Sequence, residues 1–460
     1  MLDSLAISTW ATKLKETRMV YQQLVARKDM LIPWSDLDED SAYYQLRSVS
    51  RKASIKKNTL PPSVSRKVKK NSLRERAFEN PLQPASTTTT TTTTDTIVSG
   101  DDHEENLELL NNIILDVERL FPGEEFYHSG ADAIPIRKQV VEVLYIWCKC
   151  HPRIGYKQGF HEILGLIFMN LYKESVALDQ DQLYSANYSQ DEMAILGLYN
   201  IRFICHDLFN IFNKFVTGSG VAAGLYESEL QLTKSIDLFN AYLMKIDQFI
   251  HYTLTTRLEL DTQLWIIRYL RLLLVRELGE ELETTSLLWD KLIATQIQRT
   301  PGSGMTYFIE ILIFLVIQLL IQQKTEIVTS DFSQCLSLLL HYPVPHFASP
   351  ASRDTYIQVL YRDAIKLYER RSNDLKLFEY GNKLNKKYNP GLKISLGYRD
   401  SSELSDAASE RSSVDSSGSS AEFSKSQISP ATNDRAEKMR YEKLRMEMRL
   451  KKKAKQMLHQ

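Results

Sequence analysis

Cysteine is scarce in this 460-residue sequence: there are four, and none is arranged as C-x-x-C. That argues against a disulfide framework and for a reducing compartment. Cys148, Cys150 and His151 lie close together, but on a packed helix they read as core and helix-end residues rather than metal ligands. Neither sign of charge is in excess, since 57 Lys and Arg balance 57 Asp and Glu. A chain that is neutral overall is not an obvious nucleic-acid binder. No apolar run is long enough to span a membrane, which takes about 20 residues. The most apolar stretch, Met305 to Ile321, has 17 residues and contains Glu310 and Gln318, so it reads as a buried helix central to the C-terminal half. Met1 to Tyr21 alternates polar and apolar residues, unlike a secretory signal. No strand-like alternation of useful length occurs, which leaves an all-helical fold. No repeat of about 30 to 50 residues is found, which excludes a helical solenoid.

Apolar residues make up 43% of the chain, enough for a sizeable core. Trp10, Leu14, Thr17, Tyr21 and Leu24 predict a first amphipathic helix, and Trp34 to Leu46 a second, capped by Ser35 with Asp38. Residues 51–105 break this pattern. Lys and Arg crowd Arg51 to Arg76, Asn80-Pro81-Leu82 follows, eight threonines run from Thr87 to Thr94, and Asp101, Asp102, Glu104 and Glu105 close the segment. This composition reads as a largely disordered, low-complexity insertion. Residues 171–195 read as a polar connection, and helical periodicity resumes from Ile195 to Phe215. Helices are expected over Leu230 to Thr256, Leu258 to Leu278, Phe332 to Leu340 and Asp354 to Phe378, with Gly381 to Pro390 closing the folded part. A serine-rich acidic tract over 401–432 precedes a basic helix, Arg435 to Leu458, in which Met439 and Met446, and Leu450 and Met457, are each seven residues apart.

The most informative stretch runs from Asn106 to Asn170. Leu110, Ile113, Ile114, Val117, Leu120 and Phe121 recur with a helical period and form one buried face. Arg119 falls opposite that face and Asp116 on its flank, and Pro122-Gly123 stops the helix. A second helix starts at Pro135, a good first-turn residue, and carries Ile136, Val140, Val143, Leu144 and Trp147. Gly155 gives a turn, and Gln158 sits at or near the start of a third helix with Phe160, Ile163, Leu164 and Ile167 inward. His161 and Glu162 are adjacent and point apart, so they are left out of the chemistry.

The pair I-x-x-D-x-x-R (Ile113, Asp116, Arg119) and Y-x-Q-G (Tyr156, Gln158, Gly159), about 40 residues apart, resembles the TBC domain. The string YKQGFHEILG, with NPLQP upstream, is most similar to a divergent branch that contains a yeast activator of the Golgi Rab and a larger animal protein of the endosome. LDTQLWIIRYLRLLLVREL, followed by Leu287, Trp289 and Asp290, resembles a second signature of the same family. Its usual early R-x-x-W has Arg18 and Tyr21 as nearest equivalent, so the tryptophan is missing.

The resemblance implies an all-α TBC domain over 1–395 in two helical halves, 106–195 and 196–395. The low-complexity insertion, 51–105, lies inside that domain ahead of the first of these halves; residues 396–434 form a serine-rich linker and 435–460 a basic helix. It implies stimulation of GTP hydrolysis by a Rab-family GTPase, with Arg119 as arginine finger and Gln158 as glutamine finger, both supplied in trans. Asp116 would brace the finger helix, and Tyr156 and Gly159 would shape the turn that presents Gln158. Such a chain is an activator rather than a free-standing enzyme. It needs no cofactor, because GTP and Mg²⁺ belong to the partner. The partner expected is a GTP-loaded Golgi or late-endosome Rab in vesicle-mediated transport, with the protein cytoplasmic and peripheral on those membranes, touching them through basic segments. A trafficking scaffold that binds a GTPase or coat component without hydrolysis is the competing reading; the presence of both Arg119 and Gln158 argues against it.

Overall fold

The structure is a computed structural model that describes residues 6–46, 101–178, 188–218, 220, 222–278, 281–297, 307–343, 345–391 and 430–458. The basic and threonine-rich stretch, with Asn80 to Leu82, and most of the serine-rich tract lie outside the described residues. Within them the regular elements are helices, apart from one isolated bridge between Val176 and Asn200. The chain divides into two compact units, Met1–Glu227 and Ser228–Gln460. The first takes in residues 196–227, which the sequence reading places in the C-terminal half.

Among the described residues the longer helices of the first unit are α1 (Ile7–Val25), α2 (Asp101–Glu118), α3 (Ala133–Cys150), α4 (Phe160–Glu174), α5 (Gln190–Leu198) and α6 (Ile204–Val216). α3 is the hub, packed against α2, α4 and α6, while α1 lies along α5 and α6. Arg18 explains why α1 stays there. It is buried, forms a two-pronged pair with Asp207 at 2.8 and 2.6 Å, and donates to the carbonyls of Gly197 and Leu198 at 2.9 and 3.2 Å. Its companion Tyr21 packs against His206 and Phe209, so this early motif is a packing pair. Trp34 to Leu46 is not one helix. A 3-10 turn at Trp34–Asp36 follows Pro33, Ser35 caps nothing, and helix returns only over 42–46. Trp34 instead stacks on Tyr43 and lies under the Lys138 ammonium.

The second unit is assembled from α7 (Glu229–Ile246), α8 (Gln263–Arg271), α9 (Leu282–Ile297), α10 (Tyr307–Gln322), α11 (Lys324–Thr329), α12 (Phe332–Leu340), α13 (Pro350–Arg370), α14 (Asp374–Tyr388) and α15 (Pro430–Leu458). α10 is apolar all round, as a helix enclosed on every side must be, and α7, α8, α9, α13 and α14 surround it. Its polar side chains find partners: Gln318 donates to the Leu360 carbonyl at 3.2 Å, Glu310 lies 3.6 Å from Arg371, and Gln322 accepts from the Tyr356 hydroxyl at 3.2 Å. No described helix is long and apolar enough to cross a membrane.

Three expected helices are broken. The run from Leu230 turns at Asp247, whose carboxylate caps the short segment Gln248–Tyr252. The run Leu258 to Leu278 is helical only over α8; Leu273 and Leu274 adopt left-handed backbone (φ 51° and 64°), and Trp289 Nε1 holds the Leu273 carbonyl at 2.9 Å. Arg268 serves this fold: its guanidinium pairs with buried Glu277 at 2.8 Å and donates to the Leu339 and Leu340 carbonyls. The run from Asp354 is two helices, α13 and α14, separated at Asn373, which caps α14.

α14 continues through Gly381, where it lies against the end of α7. A Cβ at Gly381 would collide with the Ile246 carbonyl oxygen and its Cγ2. Gly381→Ala is therefore expected to lower stability by about 1–3 kcal/mol, the usual cost of overpacking, despite alanine's better helix propensity. A urea midpoint equal to or above that of the parent protein would refute this close-approach argument.

The basic C-terminal helix is docked rather than isolated. Tyr441 stacks on Phe249 (5.1 Å between ring centres) and on Tyr252 (4.4 Å), and with Met448 and Val328 closes a small core. Lys452 pairs with Glu326 of α11.

Candidate functional site

α2 buries Leu110, Ile113, Ile114, Val117 and Leu120, and its last helical residue is Glu118. It begins at Asp101, so the acidic residues expected in front of the helix form its opening turns. It also ends before Pro122: Phe121 takes a left-handed conformation (φ 43°), and the chain turns there. The turn is fixed from outside, with His128 Nε2 2.7 Å from the Leu120 carbonyl and the Glu124 amide donating to the Phe121 carbonyl at 2.9 Å. Arg119 rides on this turn between the buried Val117 and Leu120, with 56% of its side chain exposed.

Gln158 occupies a second braced turn. After α3, the amides of Ile154 and Gly155 both return to the His151 carbonyl, at 3.0 and 2.9 Å. The His151 ring stacks on Trp147 at 4.3 Å. Gly155 (φ 64°) and Gly159 (φ 104°) both need left-handed backbone, which glycine adopts without the Cβ penalty. Gly159 is the residue immediately before α4, so Gln158 lies in the turn and not in the helix. Phe160 anchors the exit against Trp147, Phe212 and Tyr226. Gln158 itself is exposed.

Asp116 joins the two turns. Its carboxylate is buried, with 7% of the side chain exposed; one oxygen pairs with the Arg119 guanidinium, and the other accepts from the Tyr156 hydroxyl at 2.7 Å. His161 Nδ1 lies 3.3 Å from that hydroxyl and 3.5 Å from the carboxylate. A phenol has one hydrogen, so a Tyr156 that donates to Asp116 can only accept from His161, which places a proton on Nδ1. Burial, then the Asp116 charge, pushes the Tyr156 phenol well above its ordinary range, so it remains a neutral donor. On its far side the His161 ring reaches Glu162, with Nε2 3.8 Å from the carboxylate.

Arg119, Asp116 and Tyr156 are thus one connected group, and Gln158 and Gly159 complete the same turn as Tyr156. His161 and Glu162, set aside from sequence, are both buried and belong to this network. The expectation that they point apart is not met: the ring and the carboxylate are 3.8 Å apart, and Asp116 approaches from a different helix, which sequence spacing does not register. Two residues separate His161 from Gln158, so a histidine in the first turn of α4, directly after the motif, was the available signal.

The model of the Rab-GTPase-TBC domain matches residues 85–328, more than half of the chain. The chain belongs to the Rab-GTPase-TBC family. Both signature strings fall within the matched stretch. Relatives include TBC1 domain family member 5 of Mus musculus, 23% identical over 263 residues, which covers 52% of this chain and 30% of that protein. TBC1 domain family member 22B of Homo sapiens is 25% identical over 250 residues, covering 54% and 44%. GTPase-activating protein gyp1 of Schizosaccharomyces pombe is 22% identical over 241 residues, covering 52% and 41%. The match thus spans less than half the length of these relatives. Against the crystal structure of the Ypt/Rab-GAP domain of Gyp1p, the TBC chain scores a TM-score of 0.43 at 17% identity, covering 58% of this chain and 74% of that one.

Proposed function

We propose that this TBC protein activates GTP hydrolysis by a Rab-family GTPase, supplying Arg119 and Gln158 in trans. The bond from Tyr156 to Asp116, which ties the Arg119 turn to the Gln158 turn, is the observation that carries the reading. Phosphoryl transfer spreads charge over the phosphate oxygens and leaves a protein mainly positioning and electrostatics to supply. A guanidinium stays charged and offers donors in a fixed fork. A glutamine amide accepts from a water and donates to a phosphate oxygen, so it can orient the attacking water. The two side chains are exposed while their turns are braced from below, which suits groups that must enter another protein's site in fixed register. GTP and Mg²⁺ come with the partner, and this chain contributes no cofactor. The Golgi and late-endosome Rabs are the substrates proposed, with vesicle transport as the setting; the resemblance to the yeast Golgi-Rab activator supports that choice.

Single-turnover GTP hydrolysis against a panel of purified Rabs tests the proposal. Stimulation of a Golgi or late-endosome Rab supports it, and retained binding with no stimulation of any Rab would make the protein a scaffold. Tyr156→Phe sharpens the test. It removes one hydrogen bond to a buried carboxylate, worth about 1.5–3 kcal/mol, and uncouples the two turns. Maximal stimulation is expected to fall about tenfold, the effect of a small misplacement, with affinity for the GTP-loaded Rab little changed. Unchanged stimulation would show that the bridge is structural only.

A further inference from the structure

α15 has two apolar faces, and among the described residues only one meets another element. Tyr441, Leu444 and Met448 face the second unit. Met439, Met446, Leu450 and Met457 are 67%, 59%, 68% and 64% exposed. With 3.6 residues per turn, positions 7, 11 and 18 residues beyond Met439 fall within about 20° of it. The four side chains therefore form one continuous stripe on the side away from Tyr441. Lys443 and Lys453, both exposed, flank it at about 40° on either side. Exposed Arg440, Arg449 and Lys451 lie further round, and Glu447, at about 80°, pairs with Lys451 at 2.7 Å. Pro430–Leu458 holds ten Lys and Arg against four Asp and Glu, a net charge of +6 in a chain that is neutral overall.

We propose that this outer face of α15 binds the surface of an anionic lipid bilayer. A narrow apolar stripe bordered by cations fits a helix lying in the headgroup plane, where Met and Leu enter the acyl boundary and lysine stems reach back to anionic headgroups. Charge complementarity selects this occupant over two others. A second copy of α15 would bring Lys443 and Lys453 against their own counterparts, like charges around a shared stripe. A protein that wraps the helix would have to remove Tyr441 from between Phe249 and Tyr252. A flat surface needs neither, because it touches only the outer face while the inner face keeps α15 on the protein. Four apolar side chains are a modest anchor, so binding depends on the lipid charge as well as on insertion.

Flotation of the full-length protein with vesicles tests this. The protein is expected to float with phosphatidylcholine–phosphatidylserine vesicles, not with phosphatidylcholine alone, and to be released by high salt. Met446→Asp/Leu450→Asp should reduce vesicle binding at least about tenfold, since charge replaces insertion, with an unchanged melting temperature because both positions are exposed. Lys443→Gln/Lys453→Gln should weaken binding to anionic vesicles only. The proposal is overturned if the parent protein ignores phosphatidylserine vesicles, or if the Met446/Leu450 variant binds them undiminished. A parent protein that sediments as a dimer, becomes monomeric in that variant and never floats would assign the stripe to a second copy.

Discussion

Arg119→Ala is expected to abolish most of the stimulated hydrolysis, a loss of about 10³–10⁵ in rate, the range set by an arginine supplied in trans. The fold should survive. The Arg119 side chain is mostly exposed, and its loss leaves Asp116 with the Tyr156 hydroxyl and with His161 beside it. Arg119→Lys should fail almost as badly, because an ammonium lacks the planar fork that meets two phosphate oxygens at once. It would also exchange the guanidinium that Asp116 holds for a smaller, strongly hydrated cation. Gln158→Ala should be severely impaired through loss of the water-positioning amide, again with an intact fold, since Gln158 is exposed on a turn braced by its neighbours. A Rab whose own catalytic glutamine is replaced should still respond in part to the intact protein, because the amide arrives in trans. Single-turnover hydrolysis at saturating activator, with binding to the GTP-loaded Rab measured in parallel, separates these outcomes. Normal turnover by both alanine variants would sink the two-finger reading, and loss of binding alone would make Arg119 an affinity residue.

What the sequence disclosed about this fold follows from how sharply each segment contrasts its faces. α2, α3 and α4 have clear stripes, and their existence, order and buried faces were legible. α10 was readable as a core helix because its apolar run is too short for a membrane. Breaks were less legible. Leu272 to Val275 are buried throughout, so no polar face marks where helix gives way to left-handed turn; Trp289, which holds that turn, comes from a later helix. The stop at Asp247 did have a local signal, an aspartate three residues ahead of the amide it caps. Within a long periodic run that signal was outweighed. At the candidate site, the motif pair singled out Arg119, Asp116, Tyr156, Gln158 and Gly159, which lie on two adjoining turns. The Tyr156–Asp116 bond could not be read from it, because the contact spans 40 residues. His161 was lost for the same reason. The docking of α15 depends on aromatic partners nearly two hundred residues away, which no local pattern announces.

The largest stability effect is expected at Lys324. Its ammonium lies 2.7 Å from Asp247, with 4% and 1% of the two side chains exposed. Asp247 is the residue at which the chain leaves α7, and its carboxylate is surrounded by donors: the Ile250 amide at 3.0 Å, Asn385 Nδ2 at 2.8 Å and Lys324 itself. Asp247 therefore fastens the start of α11, through Lys324, and the last turn of α14, through Asn385, to the end of α7. Lys324→Ala removes the only full positive charge in that set and strands a buried carboxylate. Breaking one side of a buried pair costs about 3–5 kcal/mol, far more than the packing lost with a lysine stem. Removing both charges should cost less than the single change implies. In Asp247→Asn/Lys324→Met the amide oxygen still caps Ile250, and the thioether fills the stem's volume without a charge to desolvate. The double variant is therefore expected to be more stable than Lys324→Ala, with a coupling between the sites of about 0.5–3 kcal/mol. Urea unfolding of the parent, Asp247→Asn, Lys324→Met and the double variant measures this cycle, with Lys324→Ala alongside. Strict additivity would show that Lys324 contributes packing alone and that Asp247 is satisfied by Ile250 and Asn385 without it.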